Sequence, residues 1–370
     1  MKKKLAIIKS LTSLRFFAAL GVFFHHLDFL NSSSLSPIKN LVKYSFNGYV
    51  GVSFFYILSG FIISYSFKRH QENGVFGYSD FMVFRISRLF PVHVLGLLVF
   101  IFCFGIYLHF DEINIPSLLS NTFLIHAFIP HKEYYFSFNS VSWSISCELF
   151  FYVAFCFLVR LKSKHLLALL SVILTCIIYS IIIPPAELSQ HWLFYINPVF
   201  RLPDFIIGML LCRVYLATSF SPSTTIGNIM ELTSIALLGI TVYISSNFIS
   251  DMNLRFDLLF IPAMASIVMA FSYNSGLLSK ILSHPFMMLL GEASFSFYMI
   301  HWIILSKTKE IITPNPSDYI SILSFIGVTI SLSIILSISI HKGFELPLNK
   351  KIRELWIKAK HPKIASTSLS

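Results

Sequence analysis

The stretch Leu11-Thr-Ser-Leu-Arg15-Phe-Phe-Ala-Ala-Leu-Gly-Val-Phe-Phe-His25-His26-Leu27 decides the fold. It is apolar over a length that approaches the ~20 residues needed to cross a bilayer as a helix. Yet it carries an arginine and two histidines. Ionisable groups at bilayer depth cost several kcal/mol and are kept for a function. Eleven residues at about 100° each return a helix almost to the same face, so Arg15 and His26 share one wall, roughly 16 Å apart along the axis.

The rest of the chain agrees with a membrane reading. Hydrophobic residues make up 55% of 370 and charged residues 12%, and there are 39 phenylalanines. A soluble domain carries roughly 25% charged residues. Long apolar runs point to helices rather than the short alternating strands of a barrel. The expected fold is therefore all-α, a polytopic helical membrane protein with about ten transmembrane helices. The expected spans are Leu11–Phe29, Tyr49–Phe67, Pro91–Phe110, Val141–Arg160, Leu166–Ile183, Phe200–Leu216, Ile226–Phe248, Asp257–Tyr273, Pro285–Leu305 and Tyr319–Ile340. The run Asn121–Phe128 is too short to span and reads as a re-entrant or interfacial piece.

Charge placement tests this count, because cytoplasmic loops collect Lys and Arg. Lys39, Lys43, Lys132, Arg201, Arg255, Lys307 and Lys309 fall outside, Arg15 is embedded, and the other 20 of the 28 basic residues fall inside. Both termini are then cytoplasmic. The net charge of +11 follows from this bias and from a basic tail at 356–370 that can rest on anionic lipid. The basic residues are scattered over several loops, which argues against a nucleic-acid partner. The Met-Lys-Lys-Lys start imitates a signal peptide, but Arg15 interrupts the apolar run and no small-x-small site follows, so the first helix is expected to stay uncleaved. Five cysteines, Cys103, Cys147, Cys156, Cys176 and Cys212, lie in or near spans without a CxxC spacing; neither a disulfide framework nor a metal site is expected.

Further polar residues sit where lipid should exclude them. Arg85 and Arg88, just before the third span, are i, i+3 neighbours on one helical face. Guanidinium groups match phosphate oxygens in bidentate fashion, although the positive-inside rule explains the pair about as well. Glu148 lies about two turns into the fourth span, after Trp143-Ser144, and must be protonated, paired or at water. Cys147 beside it reads as a small apolar filler. Gly60 reads as a close helix contact. Arg201 and Asp204 open the sixth span, as an anchor pair or a substrate contact. In the ninth span, Tyr298 and Trp302 could be belt aromatics, and His301 an interfacial residue. Their combination says more. The alternating span directions put Arg15, Arg85 and Arg88 at the inner end and His26, His301, Glu148 and Arg201 in the outer half. Inner arginines suit a phosphorylated cytoplasmic ligand, and outer histidine and carboxylate suit acid–base chemistry.

These residues resemble the acyltransferase 3 family of bacterial integral-membrane O-acyltransferases, which includes polysaccharide and lipopolysaccharide O-acetylases. The Arg-x10-His pattern is met by Arg15 and His26, and a Gly-Val-x-x-Phe-Phe block leads to Ser59-Gly60-Phe61 with Tyr56 ahead of Ile57. Arg-x-x-Arg is met by Arg85 and Arg88, and Trp-Ser-x-Ser-x-Glu from Trp143 to Glu148. A Leu-Gly block ends at His301, and a Glu-x-Pro with a later arginine falls on Glu345, Pro347 and Arg353. A second carboxylate after the glutamate, common in the family, is replaced here by Leu149. The resemblance implies one domain over 1–355 in the bacterial cytoplasmic (inner) membrane. It implies acetyl-CoA or another acyl-CoA as donor substrate and a glycan or lipid-linked saccharide as acceptor. It points to Arg15, Arg85 and Arg88 as donor-binding and to His26 and Glu148 as catalytic. His25 is an alternative base in the doublet and could pair with Asp28; His301 could assist. Arg201, Trp143 and Tyr298 are the candidate acceptor contacts. No esterase-like extracytoplasmic domain is expected. A proton-coupled transporter of a small metabolite is the rival reading, since it too would use intramembrane Arg, His and Glu; an assembly partner of a glycan-export complex is a third.

Overall fold

The protein is described by a computed structural model over residues 6–72, 77–105 and 114–360. Helix α1 (Lys9–His25) leads through a 3-10 turn (Asp28–Ser32), α2 (Ser36–Ser45) and a second 3-10 turn (Phe46–Val50) into α3 (Gly51–Glu72). Then come α4 (Tyr78–Phe104) and a small cap made of α5 (Ile115–Thr122), a turn at His126–Phe128 and α6 (Lys132–Tyr135). Next are α7 (Trp143–Leu158), α8 (Ser163–Ile182), a π-turn at Trp192–Ile196, α9 (Pro198–Ala217), α10 (Thr224–Asn247), α11 (Met252–Arg255) and α12 (Ile261–Ser272). The chain closes with α13 (Leu277–Leu282), α14 (Pro285–Glu292), α15 (Ser294–Ile311), α16 (Tyr319–Ile340), a π-turn at His341–Glu345 and α17 (Leu346–Lys360). No strand occurs among the described residues.

Each expected span carries a helix, but not every helix has the length or apolarity of a crossing. Among the described residues six helical segments do, or seven when α14 and α15, bent by 62° at their junction, are taken as one broken span. Helix α1 has 17 residues, α9 carries buried charge, and α12 has only 12 residues. Twelve residues rise about 18 Å, short of the ~30 Å hydrocarbon core. Residues 106–110 of the expected third span lie outside the described residues. That span also starts earlier than expected. Pro91 was read as its beginning, yet α4 starts at Tyr78 and Pro91 lies inside it. A membrane helix tolerates an interior proline when its neighbours satisfy the freed carbonyl. Arg85 and Arg88 are therefore helical residues, held in register.

The bundle has a polar-laced centre and a lipid-facing rind. Helices α3 and α7 are mostly buried, whereas α8 and α10 keep only 17% and 22% of their apolar windows inside. Helices α3 and α9 touch backbone to backbone: a Cβ on Gly60 would be driven into the Phe205 carbonyl, and one on Gly208 into the Ile57 carbonyl. Close approach through small residues is how membrane helices gain packing without a hydrophobic drive. Serines tie α1 to its neighbours, Ser10 Oγ donating to the Phe271 carbonyl at 2.7 Å and Ser13 Oγ to the Leu282 carbonyl at 2.6 Å. These contacts fix the rotation of α1, and with it the wall bearing Arg15. The former tail boundary at 355 falls within α17, whose Trp356 and Lys360 bond Asp80 of α4.

Candidate active site

The arginine end is built where α1, α3, α4 and α7 meet. Arg15, Arg85, Arg88, Ser59, Glu148 and Tyr152 line a cavity of about 50 Å³. Arg85 donates to Ser66 Oγ at 2.8 Å and lies over the rings of Phe81 and Tyr152. Ser59 Oγ donates to Glu148 Oε1 at 3.2 Å. Glu148 is the one carboxylate in this lining, against three guanidinium groups. The sequence anticipated it beside His26; the structure seats it with the arginines.

A second, smaller space of about 30 Å³ shares Arg15, Phe55 and Glu148 with the first and adds Tyr56, Ser144 and Tyr298. Tyr298 and Ser144 are joined hydroxyl to hydroxyl at 2.8 Å, and the Tyr56 hydroxyl donates to the Ser144 carbonyl at 3.2 Å. Tyr298 thus lies between the arginine end and the histidines.

The histidine end begins one turn further along α15. His301 Nδ1–H donates to the Tyr298 carbonyl at 2.7 Å, which leaves Nε2 to accept. That Nε2 is buried and has no partner. The His301 ring stacks on Phe297 and lies 5.4 Å from the ring of His26, which caps α1. His26 in turn lines an open cavity of about 600 Å³ with Asp28, Trp302, Lys309 and Glu310. Arg15 and His26 therefore bound successive spaces, separated by a layer containing Phe23, Phe297, Tyr298 and His301. His25 turns elsewhere. Its Nδ1–H donates to the Phe46 carbonyl at 2.7 Å and its ring packs on Phe46 and Tyr49, and no ion pair joins it to Asp28.

Two expected acceptor contacts lie apart from these spaces. Arg201 is fully buried, paired with Asp204 at 2.8 Å and Asp257 at 3.0 Å, and donates to Ser53 Oγ at 2.7 Å. Trp143 packs on Tyr195, 4.8 Å between ring centres. Neither lines the cavities above. Cys147 Sγ donates to the Ile196 carbonyl within the core.

Sequence reasoning missed His341. Its Nδ1 meets Glu345 Oε2 at 2.9 Å, and Ser296 Oγ donates to the same oxygen at 2.8 Å, all three residues buried. The i, i+4 spacing of His341 and Glu345 was a readable signal. Asp257 was missed as well, because it reaches Arg201 only through the packing of α9 against the turn before α12.

Comparison with known proteins bears on the family. A family model described as an acyltransferase domain matches residues 8–341. An acyltransferase of Streptomyces mycarofaciens, MdmB, is 25% identical over 82% of this chain and 81% of its own length. A protein of Staphylococcus aureus named as a candidate O-acetyltransferase is 25% identical over 82% of this chain and 52% of its own. YrhL of Bacillus subtilis, named as a candidate peptidoglycan O-acetyltransferase, is 28% identical over 82% of this chain and 50% of its own. The chain thus spans about half the length of these last two. No solved structure matches. The chain belongs to the family of acyltransferases that this domain defines.

Proposed function

We propose that the protein is a bacterial inner-membrane O-acyltransferase that carries an acyl group, acetyl in the first instance, from acyl-CoA to a hydroxyl of a cell-surface or lipid-linked glycan. The acceptor class draws on the peptidoglycan O-acetyltransferase name of the Bacillus relative. One observation carries the reading. Arg85, Arg88, Arg15, Glu148, Tyr298 and His26 line successive spaces through an otherwise apolar bundle, and buried His301 lies between Tyr298 and His26.

In this reading acyl-CoA enters from the cytoplasm. Arg85 and Arg88 hold phosphate, and Arg15 adds charge deeper along the path. The pantetheine arm extends the thioester past Tyr298. His26 removes the proton from the acceptor hydroxyl as its oxygen attacks the thioester carbonyl. The tetrahedral intermediate then expels the CoA thiolate, which takes the proton back from the imidazolium. His301, fixed by its bond to the Tyr298 carbonyl, holds the His26 ring. Glu148 balances the guanidinium groups.

The test uses the purified protein in vesicles, with labelled acyl-CoA and a glycan acceptor. His26→Ala is expected to lower acyl transfer by at least ~100-fold, the usual size of an acid–base contribution, with acyl-CoA binding retained. Full activity in that variant would remove His26 as the base. Translocation of a solute without consumption of thioester would replace the enzyme reading with transport.

A further inference from the structure

Helix α17 is docked along α4 by four residues. Asn349 Oδ1 accepts from Ser87 Oγ at 2.9 Å. Arg353 donates to the Phe84 carbonyl at 3.2 Å and lies over the Phe84 ring. Trp356 Nε1 donates to Asp80 Oδ1 at 2.9 Å, and Lys360 Nζ reaches both Asp80 oxygens at 2.7 and 2.6 Å. Positions 349, 353, 356 and 360 fall at i, i+4, i+7 and i+11, one stripe of a helix. The π-turn at His341–Glu345 leads directly into α17, whose stripe meets α4.

The docking sets a third guanidinium beside the Arg-x-x-Arg pair. Phe84 directly precedes Arg85 and lies one turn before Arg88, so the bond to its carbonyl brings Arg353 to the same stretch of α4. Arg353 Nε is buried without a partner. Among the described residues, none of Arg85, Arg88 and Arg353 has a carboxylate within 4.0 Å. Three like charges gathered at the edge of a low-dielectric bundle repel one another unless an anion joins them. Arg353 is not among the residues lining the 50 Å³ cavity and is half-buried on α17.

We infer that Arg353, carried by α17, holds the 3′-phosphate of acyl-CoA at the mouth while Arg85 and Arg88 take the diphosphate. A thioester that enters first leaves the 3′-phosphate last, beside α17. This inference rests on acyl-CoA being the donor. It makes α17 part of the substrate site, closed on α4 by the Asp80 bonds.

The experiment measures binding of CoA and of dephospho-CoA, which lacks only the 3′-phosphate, to the full chain in detergent. The wild type is expected to prefer CoA by about ten- to a hundredfold, the size of a charged hydrogen bond. Arg353→Gln should lose most of that preference while binding dephospho-CoA as the wild type does. Arg353→Lys keeps charge without the planar fork, and should retain part of it. An unchanged CoA preference in Arg353→Gln, or an equal loss for both ligands, overturns the inference. Should a variant fail to fold, the wild type still decides: no preference for CoA over dephospho-CoA also overturns it. Failure of the wild type to bind either ligand overturns the donor reading itself, a different result from failure of the Arg353 assignment.

Discussion

At the scale of single residues, the arrangement turns on which nitrogen of His301 is free. Its Nδ1–H is committed to the Tyr298 carbonyl, and its Nε2 has no partner. Asparagine places an amide donor near the Nδ1 position and has nothing at Nε2. His301→Asn is therefore expected to keep the backbone bond and lower kcat by about tenfold or more, with little change in KM for acyl-CoA. Single-turnover and steady-state rates on the same preparation check this; equal rates would make His301 a packing residue. Arg201 belongs to a different class. Removing it leaves Asp204 and Asp257 buried and uncompensated, a loss of about 3–5 kcal/mol. Arg201→Leu should show that loss as a lowered thermal midpoint in detergent. The helix that carries Arg15 was legible from its apolar run; His26 caps that helix and lines a different space from Arg15. Asp257 as a second partner of Arg201, and Ser59 as the partner of Glu148, were not legible, because they come from other elements whose placement no single sequence specifies.

At the scale of elements, the α3–α9 crossing is the joint that positions the site. Gly60 and Gly208 each fill a place where a methyl group would meet the partner helix's carbonyl. Helix α3 carries Ser59, which donates to Glu148, so separating α3 from α9 also displaces the cavity wall. Gly60→Ala is expected to cost about 1–3 kcal/mol by overpacking and to lower activity through that shift. A thermal melt together with acyl-CoA binding tests both effects; unchanged values in both would mean the joint can yield. The helices were readable because a bilayer obliges each segment to satisfy its own backbone. The start of α4, the shortness of α12 and the docking of α17 were not. Each depends on a tertiary partner, as Lys360 depends on Asp80, 280 positions away.

At the scale of the whole molecule, the two ends of the polar path differ in kind, and that difference predicts sidedness. One end is narrow and rich in guanidinium; the other opens through a space of about 600 Å³ lined by His26, Asp28, Lys309 and Glu310. In the proposed reading the glycan takes the second, wider space and the phosphorylated thioester the first. The proposed orientation, drawn from the bias of basic loops, has the arginine end in the cytoplasm. Inside-out vesicles supplied with external acyl-CoA should consume thioester and acylate a glycan enclosed in their lumen. Right-side-out vesicles given the same external acyl-CoA should not, although loading the donor inside them should restore transfer to external acceptor. Equal activity in both orientations would mean that both substrates use one mouth. The path through Tyr298 would then be a structural seam rather than a route for the acyl group.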